Sequence, residues 1–279
     1  MTTTQTEHTA EAVAPARFTR RQKARISLGV QYGIGIAVLA VLAVTMDWAS
    51  FSEAFLRFDI LERMLPRVIV VGMVNTVLYA GLAFVFAFVV GMLLAIMKLS
   101  SVRAYRWFAS AYVEFFRGVP ALVVLFMVAY GIPNAFPGFV FPGDKYGMVM
   151  VGLGITAAAY MAETFRAGIQ AVPKGQLEAA RTLGMSHSRT MMTIVIPQAF
   201  RVVIPPLTNE MILLVKDSSL VYVLGVTAAQ YELTKFAQDF LNRSVNATPL
   251  IVAALCYLAI TLPLSSLVRK LESRYAKAR

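Results

Sequence analysis

PKGQLEAARTLGMSHSRTMMTIVIPQAF, residues 173–200, is a polar segment set between two strongly apolar runs. Its first half, 176–183, contains no Gly or Pro and reads as a short helix. Leu177, Ala180 and Leu183 share one face of that helix, and Glu178 and Arg181 another. Gly184 stands where a helix ends in a left-handed residue. Ser186 then offers an N-cap to a second run that continues to Pro197. A short charged helix displayed between apolar runs suits the docking of a soluble partner.

On either side of this segment the chain is apolar. Hydrophobic residues make up 58% of its 279 residues, outside the range of ordinary soluble domains. Runs of about 20 apolar residues recur, each long enough to cross a hydrocarbon core of about 30 Å. We expect an all-α polytopic membrane protein with six spans, at 28–46, 67–98, 107–132, 146–169, 202–224 and 249–268. The 67–98 run exceeds the core thickness as a single helix and is expected to tilt or emerge. Residues 47–66 place Phe51, Phe55, Phe58, Leu61 and Leu65 near helical spacing, which predicts an amphipathic helix at the outer surface with Trp48 as its interfacial anchor. Gly152, Gly154 and Ala157 to Ala159 give the fourth span a small-residue surface for close helix contact. The domains read as a disordered tail over 1–27, an added span and linker over 28–66, a core over 67–269 carrying the 173–200 segment, and a tail over 270–279. The first apolar run follows a basic region but lacks a small-residue cleavage site, so a retained anchor is expected rather than a cleaved signal. No repeat of 20–50 residues is present.

A formal charge of +11 invites a nucleic-acid reading, but the basic residues gather at the ends of apolar runs. They concentrate before the first span (Arg17, Arg20, Arg21, Lys23, Arg25), after the second (Lys98, Arg103, Arg106), in the central segment (Lys174, Arg181, Arg189, Arg201) and after the last span. That is the positive-inside pattern. It puts both termini and the 173–200 segment in the cytoplasm and leaves nucleic acid out.

No catalytic constellation is visible. The two histidines, His8 and His187, are too isolated for a metal site, and the single cysteine, Cys256, reads as a packed thiol in an apolar run. There is no phosphate-binding G-x-x-x-x-G-K-[ST] loop, and no cofactor is expected. ATP-driven work would have to come from a partner. The notable charges lie inside spans, where each costs about 2.5–3.5 kcal/mol on insertion scales and usually faces a cavity or another charge. Glu114 with Arg117, and Glu163 with Arg166, have the i, i+3 spacing of local pairs. The same residues with Asn209 and Glu210 could face a midplane pathway. An amino acid zwitterion needs a donor for its carboxylate, which Arg117 could supply, and an acceptor for its ammonium, which Glu163 or Glu210 could supply. Pro120 and Pro205-Pro206 would break helices to line such a cavity. Lys216-Asp217-Ser218-Ser219 reads as a structural pair capped by hydroxyls.

The order of motifs carries a resemblance. Glu178-Ala179-Ala180, Gly184 and Ile196-Pro197 resemble the EAA signature of bacterial ABC importer permeases. YVEFFRGVPALV (112–123), AAYMAETFRAGIQAVPKGQLEAARTLGMS (158–186) and IPQAFRVVIPPLTNEMILLVKDSSL (196–220) narrow it to the polar amino acid branch. The resemblance covers roughly residues 67–269, against a family core of five spans, so the span before it is an addition. It implies a plasma-membrane importer permease that pairs with a second permease, two ATPase subunits and an extracytoplasmic solute-binding protein. Its substrate would be a polar amino acid such as glutamate, aspartate or glutamine. It also implies that the 173–200 element is the coupling helix seated in the ATPase, with Glu178, Ala179, Ala180 and Gly184 as the contacts. The rival readings are an ion-coupled secondary amino acid transporter, which would need its own coupling-ion site, a membrane enzyme and a channel.

Overall fold

A computed structural model describes residues 20–276, and among these residues every regular element is helical. Among the described residues, five helices are long and apolar enough to cross a membrane, or six if a bent pair counts as one span. The chain forms two units, one through Glu53 and one from Ala54 onward.

In the first unit, α1 (Arg20–Thr45) is a candidate span. It takes in residues 20–27, which the composition assigned to a disordered tail; residues 1–19 lie outside the described residues. Asp47 starts α2 (Trp48–Phe55), its carboxylate accepting from the N–H groups of Ala49 at 3.0 Å and Ser50 at 3.1 Å. The Trp48 indole donates to the Ala43 carbonyl at 2.7 Å and closes the turn. The single amphipathic helix expected over 47–66 is therefore two. Phe55 ends α2, and Phe58 begins α3 (Phe58–Arg67).

The second unit is built on α4 (Val74–Leu99), which continues α3 through a wide π turn, Val68–Met73. Pro66 removes an N–H just before that turn, and the widening accommodates the loss. After α4 come α5 (Arg103–Gly118), α6 (Ala121–Phe126), α7 (Ile132–Ala135) and α8 (Lys145–Gln170). α8 matches the predicted fourth span within one residue at each end. α5 and the following helices are bent by 106° at Val119-Pro120, so the third span is broken where its proline predicted.

α4 and α8 form the centre. Ala80, Ala83, Ala87 and Ala95 are fully buried along one face of α4, and Ala158, Met161 and Ala162 face them from α8. Small residues let two backbones approach, which is how helices gain packing energy where lipid removes the hydrophobic driving force. Gly91 marks the tightest point. A Cβ there would lie 2.9 Å from Met161 Cβ and 3.0 Å from the Ala158 carbonyl. Gly91→Leu is expected to lower stability by about 1–3 kcal/mol, read as a lower melting midpoint of the detergent-solubilised protein.

Beyond α8 come α9 (Lys174–Thr182), α10 (His187–Thr190) and a π turn, Met191–Val195, that feeds α11 (Ile196–Asp217). Pro205 and Pro206 were expected to break this helix and do not. The carbonyls that lose their i+4 partners belong to Arg201 and Val202, both exposed residues near the start of the helix. α12 (Leu233–Ser244) and α13 (Thr248–Ala276) complete the described chain. α13 extends past the predicted last span into the predicted 270–279 tail; residues 277–279 lie outside the described residues.

The segment joining α11 to α12 is held by side chains of α4. Asn75 donates to the carbonyls of Ala229 at 2.8 Å and Tyr231 at 3.0 Å and accepts from the Tyr146 hydroxyl at 2.7 Å. Tyr79 donates to the Gln230 carbonyl, and Thr76 accepts from Leu233 N–H. Glu232, fully buried, caps α12 by accepting from Thr234 N–H and Lys235 N–H, each at 2.6 Å, and from the Tyr257 hydroxyl at 2.9 Å. Burial pushes its carboxyl from the usual 4.5 up to about 7, and the hydrogen bonds it accepts only partly oppose this. A folded value above the unfolded one means that stability from this group is complete below about pH 4.5 and is lost as pH rises through 7. Over the whole shift the loss is on the order of 3 kcal/mol. The solubilised protein is expected to melt at a lower temperature at about pH 8 than at about pH 6, and Glu232→Gln to flatten that slope.

Candidate functional site

The break between α5 and α6 opens a cavity of about 420 Å³. Arg117, Gly118, Val119, Pro120 and Ala121 form one wall. Leu153, Thr156, Ala157 and Tyr160 form the second, one stripe of α8 at i, i+3, i+4, i+7. Glu210, Leu213, Leu214 and Asp217 form the third with the same spacing on α11. Apolar walls with a few convergent polar groups are the usual make-up of a small-molecule site.

The polar groups here are uncommitted. Arg117 lies over the Tyr160 ring, 5.4 Å from its centroid, and forms no ion pair among the described residues. The predicted Glu114–Arg117 pair is not made: both residues lie on α5, but Arg117 lines the cavity beside the Tyr160 ring while Glu114 is exposed and outside the lining. Asp217 and Lys216 form no ion pair within hydrogen-bond reach either; Asp217 lines the cavity and Lys216 is exposed. The Thr156 hydroxyl is buried with no hydrogen-bond partner among the described residues.

Of the predicted pathway residues, Arg117 and Glu210 line this cavity together. Asn209 is exposed and lies outside the lining. Glu163 is engaged elsewhere. One of its carboxylate oxygens pairs with Lys98 of α4, and the other accepts from Arg166 Nε at 2.9 Å and Nη2 at 2.7 Å. Arg166 also donates to Gln170 at 2.7 Å. Glu163 thus ties α4 to α8, the structural alternative its spacing allowed. Thr156, Tyr160 and Asp217 were not among the predicted pathway residues. For Asp217 the signal was present, seven residues after Glu210 on one helix face.

The second candidate surface is the 173–200 segment. α9 ends at Gly184 with φ +74°, a conformation that favours glycine, and Met185 N–H donates to the Ala180 carbonyl at 3.0 Å. Ser186 caps α10 through Arg189 N–H at 3.4 Å. Beneath, Val172, Val195 and Ala199 pack with Leu177 and Met191, and Gln198 donates to Gln176, so α9 is fixed to the end of α8 and the start of α11. Glu178, Ala179 and Gly184 are exposed. Ala180, predicted as a contact, is only 2% exposed, so its small size serves packing within the chain. Leu183, predicted to share one face with Leu177 and Ala180, is 80% exposed because the helix ends one residue before it.

Residues 87–277 match the family model described as the binding-protein-dependent transport system inner membrane component. The chain is 39% identical over 74% of its length to the probable glutamine ABC transporter permease protein GlnM of Bacillus subtilis, covering 93% of that protein. It is 36% identical to the glutamate/aspartate import permease protein GltK of Escherichia coli O6:H1 over 74% of its length, covering 92% of that protein. Among solved structures, the crystal structure of an amino acid ABC transporter with histidines matches with TM-score 0.70 and 35% identity, over 78% of this chain and 99% of that one.

Proposed function

The chain belongs to the family of binding-protein-dependent transport system inner membrane components, and from that premise we propose that it is the permease subunit of an ATP-driven importer of polar amino acids. In this reading it lies in the bacterial inner membrane with both termini cytoplasmic and pairs with a second permease, a copy or a homologue. ATPase subunits seat on Glu178, Ala179 and Gly184 from the cytoplasm, and a solute-binding protein delivers the amino acid from the other side. The single observation that carries the reading is connectivity. α9 and α10 join α8 to α11, and those two helices form two of the three cavity walls. A force applied to the exposed segment is therefore delivered to the cavity, as alternating access requires.

Arg117 would hold the substrate carboxylate and Glu210 its ammonium as the cavity opens to either side. Uptake of labelled amino acids into proteoliposomes holding this chain with its ATPase tests the reading. Uptake is expected to depend on ATP and on the solute-binding protein. Uptake driven by an ion gradient with no ATPase present would favour a secondary transporter instead.

A further inference from the structure

On the reading of α8 and α11 as moving walls of a passage, on which this inference rests, the two walls have to part at their outward ends to admit substrate. Those ends are the start of α8 at Lys145 and the end of α11 at Asp217. The chain leaves α11 through a tight turn, Ser218–Val223, and crosses to α12 as a strap, residues 224–232, with one short turn of its own, Ala228–Gln230. Leu224 and Val226 bury the inner side of the strap in the main core. Gly225, Thr227, Ala228 and Ala229 are exposed.

Side chains of α4 hold the strap by its backbone. The consecutive carbonyls of Ala229, Gln230 and Tyr231 accept from Asn75 at 2.8 Å, Tyr79 at 3.0 Å and Asn75 again at 3.0 Å. Asn75 is buried, and its oxygen is taken by the Tyr146 hydroxyl of α8. Tyr79, one turn along α4, stacks on Tyr146 with ring centroids 5.0 Å apart. Gln230 also donates to Asp144, the residue before α8, at 3.2 Å. The outward ends of α8 and α11 are thus joined through Asn75, Tyr79 and Gln230. Parting the walls at this end has to break these bonds or unravel the strap. Water can replace each bond at a modest net cost, so they can break and re-form in every cycle.

We propose that Asn75 and Tyr79 latch the outer mouth: they are positioning residues that keep the strap closed on α4 and α8 until the solute-binding protein engages its exposed side. Neither lines the cavity, so they set when it opens and leave what it holds to other residues. Asn75 is the centre of the latch, since one amide engages two strap carbonyls and α8 together.

Ala157→Cys, a buried position in the cavity lining, reads the opening in a chain whose single cysteine is removed by Cys256→Ala. The permease and its ATPase are held in right-side-out vesicles, and a membrane-impermeant maleimide is added outside. With the latch intact, labelling is expected to need ATP and the solute-binding protein. Tyr79→Phe keeps the ring and loses one hydrogen bond, and is expected to speed labelling without the solute-binding protein about fivefold. Asn75→Leu, similar in size, is expected to speed it more than about tenfold. If Asn75→Leu fails to assemble with its ATPase, Tyr79→Phe decides alone. Val113→Cys, buried in the core away from the cavity, is expected to stay unlabelled throughout. Labelling of Ala157→Cys at the intact-latch rate in the variants overturns the inference alone. So does labelling of Val113→Cys alongside it, which would mean general loosening and not an opened mouth. If ATP and the solute-binding protein never expose Ala157→Cys behind an intact latch, the passage reading falls together with the inference.

Discussion

Arg117→Ala is expected to lower amino acid uptake by about 30-fold or more while the permease still assembles with its ATPase. The size follows from removing a charge-assisted, two-pronged contact with a carboxylate in an apolar setting, about 2 kcal/mol or more. Assembly is spared because Arg117 ties down no other part of the chain. It forms no ion pair among the described residues, and the Tyr160 ring beneath it is also in the cavity wall. Arg117→Lys keeps the charge but not the fork or the stacking plane, so it is expected to restore uptake only in part. Glu163→Gln is the informative contrast. It removes the group that Lys98 and Arg166 share between α4 and α8, which leaves two cations unpaired. Its effect should appear as a lower melting midpoint, with the KM of the surviving protein unchanged. Unchanged uptake kinetics in Arg117→Ala would remove this side chain from the pathway.

How far the sequence carried depended on the physics behind each feature. α8 was readable almost to the residue because its length, its small-residue face and its flanking loop signals agree. Gly184 and Ser186 were readable because a left-handed turn and an N-cap restrict residue choice locally. Pro120 and Pro205-Pro206 show the limit. The same residue type breaks the chain at Val119-Pro120, where Gly118 precedes it, and is tolerated within α11 at Pro205-Pro206. Only the surroundings distinguish the two cases. The intramembrane charges were harder still. An i, i+3 spacing permits a local pair, which Glu163 and Arg166 make and Glu114 and Arg117 do not. The choice rests on what lies across the interface, such as Lys98 from α4, and no local pattern encodes that. Thr156 carries no sequence signal at all, since its significance lies in having no partner.

Glu178→Arg is expected to uncouple the permease from its ATPase, with co-purification lost and ATP-dependent uptake falling with it. Glu178 is exposed, and its side chain makes no bond with any described residue, so its replacement leaves α9 folded. What changes is the charge offered to a partner. If the partner presents a basic or amide group, reversal replaces attraction with repulsion, and such a like-charge juxtaposition costs several kcal/mol. Leu183→Asp tests the same surface through a different force. Leu183 is an apolar side chain held 80% exposed at the end of α9, beside a glycine whose positive φ sets the turn. Burying it against a partner would contribute about 1.5–3 kcal/mol, and an aspartate there forfeits that gain. Both variants should fail in the same assay while keeping the melting midpoint of the isolated permease. An effect of Glu178→Arg alone would assign the contact to charge and leave Leu183 at the rim. If neither variant releases the ATPase, the exposed segment between α8 and α11 is not the coupling surface, and the force on the cavity walls must enter elsewhere.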